Sequence, residues 1–351
     1  MFIVFITRHY NQKKRVSGVI SYLKILDQML KKNGVQTVIL YVKNKTYENY
    51  AYEKNAYLTS QNPLIIAKIL KKLKPTHIIF ISSTSDPTFL YWWWLSLAFA
   101  NQKQNCYLYQ TTNFKKSPNK IQLCLLKRLL QGVFVGNSNL YKIFKILPKK
   151  KLMKPAVTID YAFRKAKHYT QNKFTVLFMG HYTKIKGVDI VLTLSQKSSM
   201  KELEFYIAGG NSRNDNFYYK KALKAARLMP NLSVLGFLEN PQSIISKCDV
   251  LLIPYRSGST ILAVSQTALE AMALGKPVIT TSNTATNDLV KDGFNGYICD
   301  SISSMEKKII DLKNNPTLYN KLARNALATI KNEYNIEERT KQLLESLNAG
   351  L

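Results

Sequence analysis

This 351-residue chain is short of cysteine, histidine and acid, and it has no long apolar run. Its four cysteines, Cys106, Cys124, Cys248 and Cys299, show no CxxC and no paired spacing, which excludes a disulfide framework and a zinc site from the sequence alone. They read as reduced thiols in the core. Of the histidines, His9, His77 and His168 form no cluster with other metal ligands. No Asp-x-Asp occurs, so a Mg- or Mn-dependent clamp for a diphosphate has no support, and no metal is expected. A Walker loop and a GxGxxG turn are both missing, which removes the cradles for ATP hydrolysis and nicotinamide chemistry. The most apolar run, Phe89–Ala100, is shorter than the roughly 20 residues of a spanning helix. The N-terminal MFIVFITRHY has neither a basic leader region nor a small-residue cleavage site and reads as a buried strand. The expectation is a cytoplasmic protein, soluble or peripheral on the inner face of the membrane.

The shortage of acid is the strongest compositional signal. The chain carries 51 Lys and Arg against 21 Asp and Glu, a formal charge of +30, with a sequence pI near 9.8. Residues 1–168 hold 29 of the basic residues and only 5 of the acids, whereas 169–351 hold 22 and 16. Clusters at Lys68–Lys74, Lys115–Arg128 and Lys142–Lys154 concentrate the excess. Such a face suits anionic headgroups or nucleic acid. With no recognisable nucleic-acid module, an anionic membrane is the expected partner and nucleic acid is not. The segment Tyr91–Trp94 fits either a headgroup-level anchor or a buried aromatic helix.

Short apolar runs alternate with amphipathic stretches. Phe2–Thr7, Gln36–Val42, His77–Ser82, Cys106–Tyr109 and Gly132–Val135 read as buried strands, with helices over Val19–Asn33 and Pro63–Leu73. The pattern restarts with Phe174–Met179, Leu203–Ala208, Ser233–Leu235, Val250–Ile253 and Pro277–Thr280. The basic stretch Pro148–Pro155 and the polar Arg164–Lys173 read as the connection between the halves. The prediction is two α/β domains, 1–168 and 169–335, with a final helix, 336–351, packing back on the first. In open parallel sheets ligands bind at the carboxyl ends of the strands.

The densest block is Ser265–Ile279, SQTALEAMALGKPVI, followed by Asp292-Gly-Phe-Asn-Gly296. A helix starting near Ser265 would aim the free N–H groups at Ser265, Gln266 and Thr267 toward the preceding loop, an anion site suited to a diphosphate. Glu270, a little over one turn further in, can accept both hydroxyls of a ribose. Gly275 closes the helix and Pro277 opens the next strand.

This block resembles the C-terminal signature of retaining family-4 glycosyltransferases (glycosyl transferases group 1). These have the GT-B architecture, two Rossmann-like α/β domains facing a central cleft. The family motif has two glutamates separated by seven residues; Glu270 matches the second, which binds the nucleotide ribose, and the first falls at Leu262. The run Val176–Asp189 is similar to the family's strand, glycine-arginine and lysine-glycine element. There Gly180 lies beside the donor, Lys186 matches the lysine that neutralises the leaving diphosphate, and His181 stands at the arginine position. Arg256, in the loop before the donor helix, is the candidate to compensate for His181. Phe205–Gly210 and Val234–Leu238 resemble the family's glycine turn and base-reading loop, with Gly209 and Phe237 as candidates. Gly18 falls in the small loop beside the phosphates. Thr111 and Asn113 occupy the acceptor-side segment where many relatives carry histidine.

The resemblance implies a metal-independent hexosyltransferase. It takes a UDP- or GDP-linked sugar as co-substrate, needs no other cofactor, and acts on a saccharide or lipid-linked acceptor in envelope polysaccharide or glycolipid synthesis. The competing readings are a non-catalytic nucleotide-sugar-binding subunit, motivated by Leu262 and His181, a nucleic-acid-binding protein, and a nucleotide-sugar epimerase on the same fold.

Overall fold

The computed structural model describes residues 1–7, 18–43, 56–60, 62–82, 95–96, 98, 105–111, 117–147, 149–158, 173–210, 216–238, 240–256, 264–282 and 285–350. These form two compact units. One comprises Met1–Pro155 and Ile336–Leu351, and the other runs from Ala156 to Asn335 apart from residues 259–263.

The first unit begins β1 (Phe2–Thr7), α1 (Gly18–Lys32), β2 (Gln36–Lys43), β3 (Ala56–Ser60), α2 (Pro63–Leu73) and β4 (His77–Ser82). It continues with β5 (Cys106–Gln110), α3 (Lys120–Leu129), β6 (Gly132–Val135), α4 (Ser138–Ile143) and β7 (Lys150–Leu152). The strands make one parallel sheet in the order β3-β2-β1-β4-β5-β6-β7. Helices cover both faces of such a sheet, which is why β1, β4, β5 and β6 are nearly continuous apolar runs. Helix α1 ends as its sequence dictates: Lys31 and Lys32 occupy the last turn, Gly34 takes φ +74°, and the Val35 N–H closes onto the Leu30 carbonyl. Asn62 caps α2 by accepting from the Leu64 N–H, and Pro63 fills the first turn. The inner faces of α2, α3 and α4 bury Ile66, Leu70, Leu123, Leu126 and Leu140 against Val4, Ile6, Phe80 and Leu108. Truncating Leu70 there would cost about 2–5 kcal/mol.

The second unit repeats the plan with β8 (Thr175–Met179), α5 (Val188–Gln196), β9 (Glu204–Ala208), α6 (Phe217–Leu228), β10 (Leu232–Gly236) and α7 (Gln242–Lys247). It goes on with β11 (Val250–Ile253), α8 (Gln266–Ala273), β12 (Val278–Thr280), β13 (Gly296–Ile298), α9 (Ile302–Asn314) and α10 (Pro316–Glu333). Its parallel sheet runs β10-β9-β8-β11-β12-β13. Asp249 pins the base of this sheet: its carboxylate accepts from the Thr175 N–H, and its carbonyl accepts from the Tyr319 hydroxyl of α10.

Two features of the connection between the halves differ from the sequence reading. Residue 168, the expected junction, lies outside the described residues, but the chain has already joined the second unit at Ala156: the Val157 N–H donates to the Tyr334 carbonyl. The basic connection also contains a strand. β7 pairs with β6 at the edge of the first sheet, where its lysine heads reach solvent or polar partners. The last helix, α11 (Ile336–Asn348), packs against α1, and Lys151 of β7 donates to its Ser346 hydroxyl at 2.7 Å.

Candidate active site at the carboxyl edge of the second sheet

In a parallel sheet all carboxyl ends share one edge. The strand order of the second unit reverses direction between β8 and β11, and the segments leaving a parallel sheet at such a point diverge and leave a crevice.

Glycines close the backbone together along this edge. The Gly180 N–H donates to the Ala208 carbonyl at 3.0 Å, and the Gly209 N–H to the Gly236 carbonyl at 2.7 Å. Gly209 has φ +145°, and a Cβ on it would lie 1.9 Å from the Gly180 carbonyl oxygen, so no other residue fits. Phe237 follows β10 and is half-buried. The exposed ring of His181 sits with Nδ1 3.2 Å from the Gly210 carbonyl oxygen.

Lys186 comes from the turn between β8 and α5. The Lys186 N–H donates to the Thr183 carbonyl and the Gly187 N–H to the Lys184 carbonyl, so the turn is hydrogen-bonded within itself. Gly187 has φ +73°, and a Cβ there would stand 2.0 Å from the Pro254 carbonyl oxygen. This close approach brings the turn onto the segment leaving β11. The Lys186 ammonium lies 4.0 Å from the centroid of the Tyr255 ring, a cation–π contact. Among the described residues it has no carboxylate partner, and burial lowers its pKa to about 8. Tyr255 is buried; burial pushes its hydroxyl up to about 12, against a hydrogen bond with Ser265 that pulls the other way.

Ser265 therefore faces two ways. Its hydroxyl oxygen caps α8 by accepting from the Ala268 N–H, and its link to Tyr255 ties the start of α8 to the seat of Lys186. Gln266 is buried at the first turn. Neither end of its carboxamide has a partner of ordinary hydrogen-bond geometry among the described residues, although it lies near enough to Glu270 to lower that residue's pKa a little. Thr267 is half-buried beside it. Burial dominates at Glu270 and pushes its carboxyl up to about 7. The edge thus presents a cation, the start of a helix, a buried amide and a carboxyl that ionises near neutrality.

Arg256 reaches this edge, but its guanidinium is occupied. Both terminal nitrogens donate to the Asp189 carboxylate at 2.7 Å, and one also donates to the Lys184 carbonyl at 2.7 Å. The sequence assigns Arg256 to the diphosphate; the structure directs it to the Lys186 turn.

The other candidates lie elsewhere. Gly18 opens α1 in the first unit, as does Thr111 beyond β5, whose hydroxyl donates to the Ser82 carbonyl at 2.9 Å. Asn113, Leu262 and the Tyr91–Trp94 segment lie outside the described residues. The Asp292–Gly296 turn precedes β13 and so stands at the amino edge, away from Lys186. It is a structural corner: Asp292 accepts from the Ile298 N–H, and the buried Asn295 amide donates to the Leu289 carbonyl and the Thr329 hydroxyl. Sequence reasoning missed Tyr255 and Asp189. The available signal was an aromatic-basic pair one residue after a strand, with an acid three residues beyond the lysine.

Residues 161–329, within the span of the second unit, match the family described as glycosyl transferases group 1. The chain is 30% identical over 156 residues to an uncharacterized glycosyltransferase of Methanocaldococcus jannaschii, covering 42% of this chain and 41% of that protein. It is 34% identical over 100 residues to an O-antigen biosynthesis glycosyltransferase of Escherichia coli, covering 28% and 26%. The matched segments thus span about two fifths and one quarter of these relatives' lengths. The crystal structure of Anabaena HepE in complex with UDP superposes with a TM-score of 0.76 at 14% identity, over 99% of this chain and 100% of that one. At that identity the likeness establishes the architecture, and the chain has the GT-B fold.

Proposed function

We propose that the protein is a metal-independent retaining glycosyltransferase. It moves a hexose from a UDP- or GDP-linked donor to a saccharide or lipid-linked acceptor in envelope polysaccharide or glycolipid synthesis. The observation that carries this reading is the Lys186 ammonium seated on Tyr255, which itself stands beside Ser265, the residue capping α8. A leaving nucleoside diphosphate develops negative charge. A partly desolvated lysine and a helix start aimed at the same place stabilise that charge without a metal. Glu270 is one turn along for the ribose hydroxyls, Gly180 and Gly209 let backbone approach the donor, Phe237 stands by for the base, and His181 adds a hydrogen bond. Configuration is retained by front-face attack, with the departing phosphate taking the acceptor proton. The UDP held by the Anabaena neighbour and the O-antigen role named for the Escherichia coli relative support this donor and acceptor class.

A thermal-shift panel of UDP- and GDP-sugars tests it. A bound donor raises the melting temperature by mass action, and the best donor should then show slow hydrolysis or transfer. No shift with any donor sinks the proposal. Leu262, at the place of the family's first glutamate, favours one alternative, a non-catalytic nucleotide-sugar-binding subunit. That reading predicts binding without turnover in any acceptor mixture.

We further propose that the enzyme works at an anionic membrane surface. The outer sides of α2, α3 and α4 expose Leu64, Ile65, Ile121 and Tyr141 among Lys68, Lys71, Lys72, Lys127, Arg128 and Lys142. Neither 62–82 nor 117–158 contains an acid. Basic residues near an anionic leaflet contribute about 1 kcal/mol each. No helix among the described residues is long and apolar enough to cross a membrane.

A further inference from the structure

We infer that Arg256 is a positioning residue: with Asp189 it clamps the 184–187 turn against the end of β11, and so sets Lys186 on the ring of Tyr255. The inference rests on the donor-binding role proposed for Lys186 and goes beyond it, because it assigns two residues no contact with the donor at all.

The geometry is that of a three-point grip. The Arg256 N–H donates to the Ile185 carbonyl at 2.9 Å. One guanidinium nitrogen donates to the Lys184 carbonyl, and the two terminal nitrogens take the two oxygens of Asp189. These partners flank Lys186 on both sides in the chain. Pro254 completes the cradle, since its carbonyl oxygen leaves room only for glycine at position 187. Asp189 in turn lies in the first turn of α5, where a carboxylate also suits the helix dipole. Burial raises the Asp189 carboxyl, but the hydrogen bonds and charge of Arg256 outweigh that and hold it below the usual range.

The grip matters because the seat of Lys186 is unfavourable by itself. Three consecutive residues, Pro254, Tyr255 and Arg256, form the seat: the first sets the distance of closest approach, the second supplies the π face, and the third holds the turn down. An unrestrained lysine on a four-carbon stem would swing its ammonium into water. The bidentate, planar guanidinium meets a carboxylate and a carbonyl together in a way that a lysine ammonium does not reproduce. A guanidinium so engaged is a poor candidate for grasping a diphosphate as well.

The test compares Arg256→Ala, Arg256→Lys, Asp189→Asn and the double variant Arg256→Ala/Asp189→Asn in the full chain. UDP and GDP serve as titrants over pH 6–10 in calorimetry. Arg256→Ala and Asp189→Asn should each weaken binding of the preferred nucleotide about tenfold, and the double variant should be no worse than either single. Arg256→Lys should fail to restore affinity. In every variant the loss of affinity at alkaline pH should begin at least one pH unit higher than in the wild type, because a released Lys186 rehydrates. A merely structural defect would not move that limb. If Arg256→Ala weakens binding while Asp189→Asn leaves it unchanged or tightens it, Arg256 touches the phosphates directly and the inference is overturned. Hydrogen exchange at the Lys186 and Gly187 amides judges the clamp without nucleotide. Both single variants should speed exchange about tenfold, and unchanged exchange overturns the inference as well. Failure of wild-type protein to bind either nucleotide would instead count against the donor-site proposal, with the exchange result standing separately.

Discussion

The two units share one sheet plan and differ in what they place at its margins. In the second, the carboxyl ends of β8, β9 and β10 run into Gly180, Gly209 and Gly236, and the backbone closes up around a lysine, a helix start and a carboxyl. In the first, β4 and β5, the counterparts of β11 and β12 in the strand order, end on side chains, and Thr111 spends its hydroxyl on the backbone of Ser82. The first unit instead puts its distinguishing chemistry on the outer faces of α2, α3 and α4, where basic and apolar residues mix without acid. The same contrast separates the lysines. Lys186 is partly desolvated, with a pKa lowered to about 8, whereas Lys68, Lys71 and Lys72 are exposed. The lesson is that net charge locates a surface, and only burial sets Lys186, the proposed catalytic cation, apart from the other lysines.

Lys186→Ala should break this contrast most severely. Removing the cation proposed to meet the leaving group should lower kcat with the best donor about 10²–10³-fold while the melting temperature stays level or rises. A loss under tenfold would return Lys186 to the ordinary lysines. Charge reversal on the other unit should do the reverse. At about 1 kcal/mol for each basic residue lost, Lys68→Glu/Lys71→Glu/Lys72→Glu should reduce partitioning onto phosphatidylserine-containing vesicles more than a hundredfold. Turnover with a soluble acceptor should not change, and retained vesicle binding would remove the membrane reading.

A pH titration sharpens the comparison within the site. Below about 7 Glu270 is protonated and cannot accept from both ribose hydroxyls; above about 8 Lys186 loses its charge. Affinity for UDP or GDP should therefore be bell-shaped, falling up to tenfold per pH unit on each side of the interval between them. Tyr255 titrates far above this range, and the Arg256–Asp189 pair stays ionised across it. A flat profile, measured calorimetrically, would detach both groups from nucleotide binding. The smallest effect concerns stability. Glu270 has a folded pKa above its unfolded value, so its ionised form opposes folding, and this cost grows as pH rises from the unfolded value through about 7. Glu270→Gln should raise the melting temperature at pH 8 by about 2 °C while weakening nucleotide binding, as at other sites where function opposes stability. A lower melting temperature would mean the carboxylate holds structure.

Much of this was legible in the linear chain. Short apolar runs marked β1, β4, β6 and β11 because strands covered on both faces must be continuously apolar. Ser265 was legible as the cap of α8, and Gly34 as the stop of α1. β7 and β13 were not, since three-residue edge strands carry no period of their own and exist only through pairing. Within the candidate site, Lys186, Ser265 and Glu270 were recognisable from motif spacing. The motif's final turn, Asp292–Gly296, carried the same signal yet belongs to the opposite edge, because spacing along a chain does not encode which end of a strand a turn adjoins.

The amino-acid sequence by itself determined the two α/β units, the lopsided charge, the caps and the glycines at the strand ends, because those follow from local backbone preference and from which residues avoid water. Only tertiary structure decided what each cation meets. Lys186 and Arg256 lie seventy residues apart, and the motif that marks Lys186 does not say which partner Arg256 takes. Parallel pairing of β8 with β11 brings their trailing segments together, lays Lys186 on Tyr255 and delivers Arg256 to Asp189. Ammonium and guanidinium carry the same charge, and they part because, among the described residues, one lies over an aromatic face without a carboxylate while the other meets its carboxylate in two hydrogen bonds.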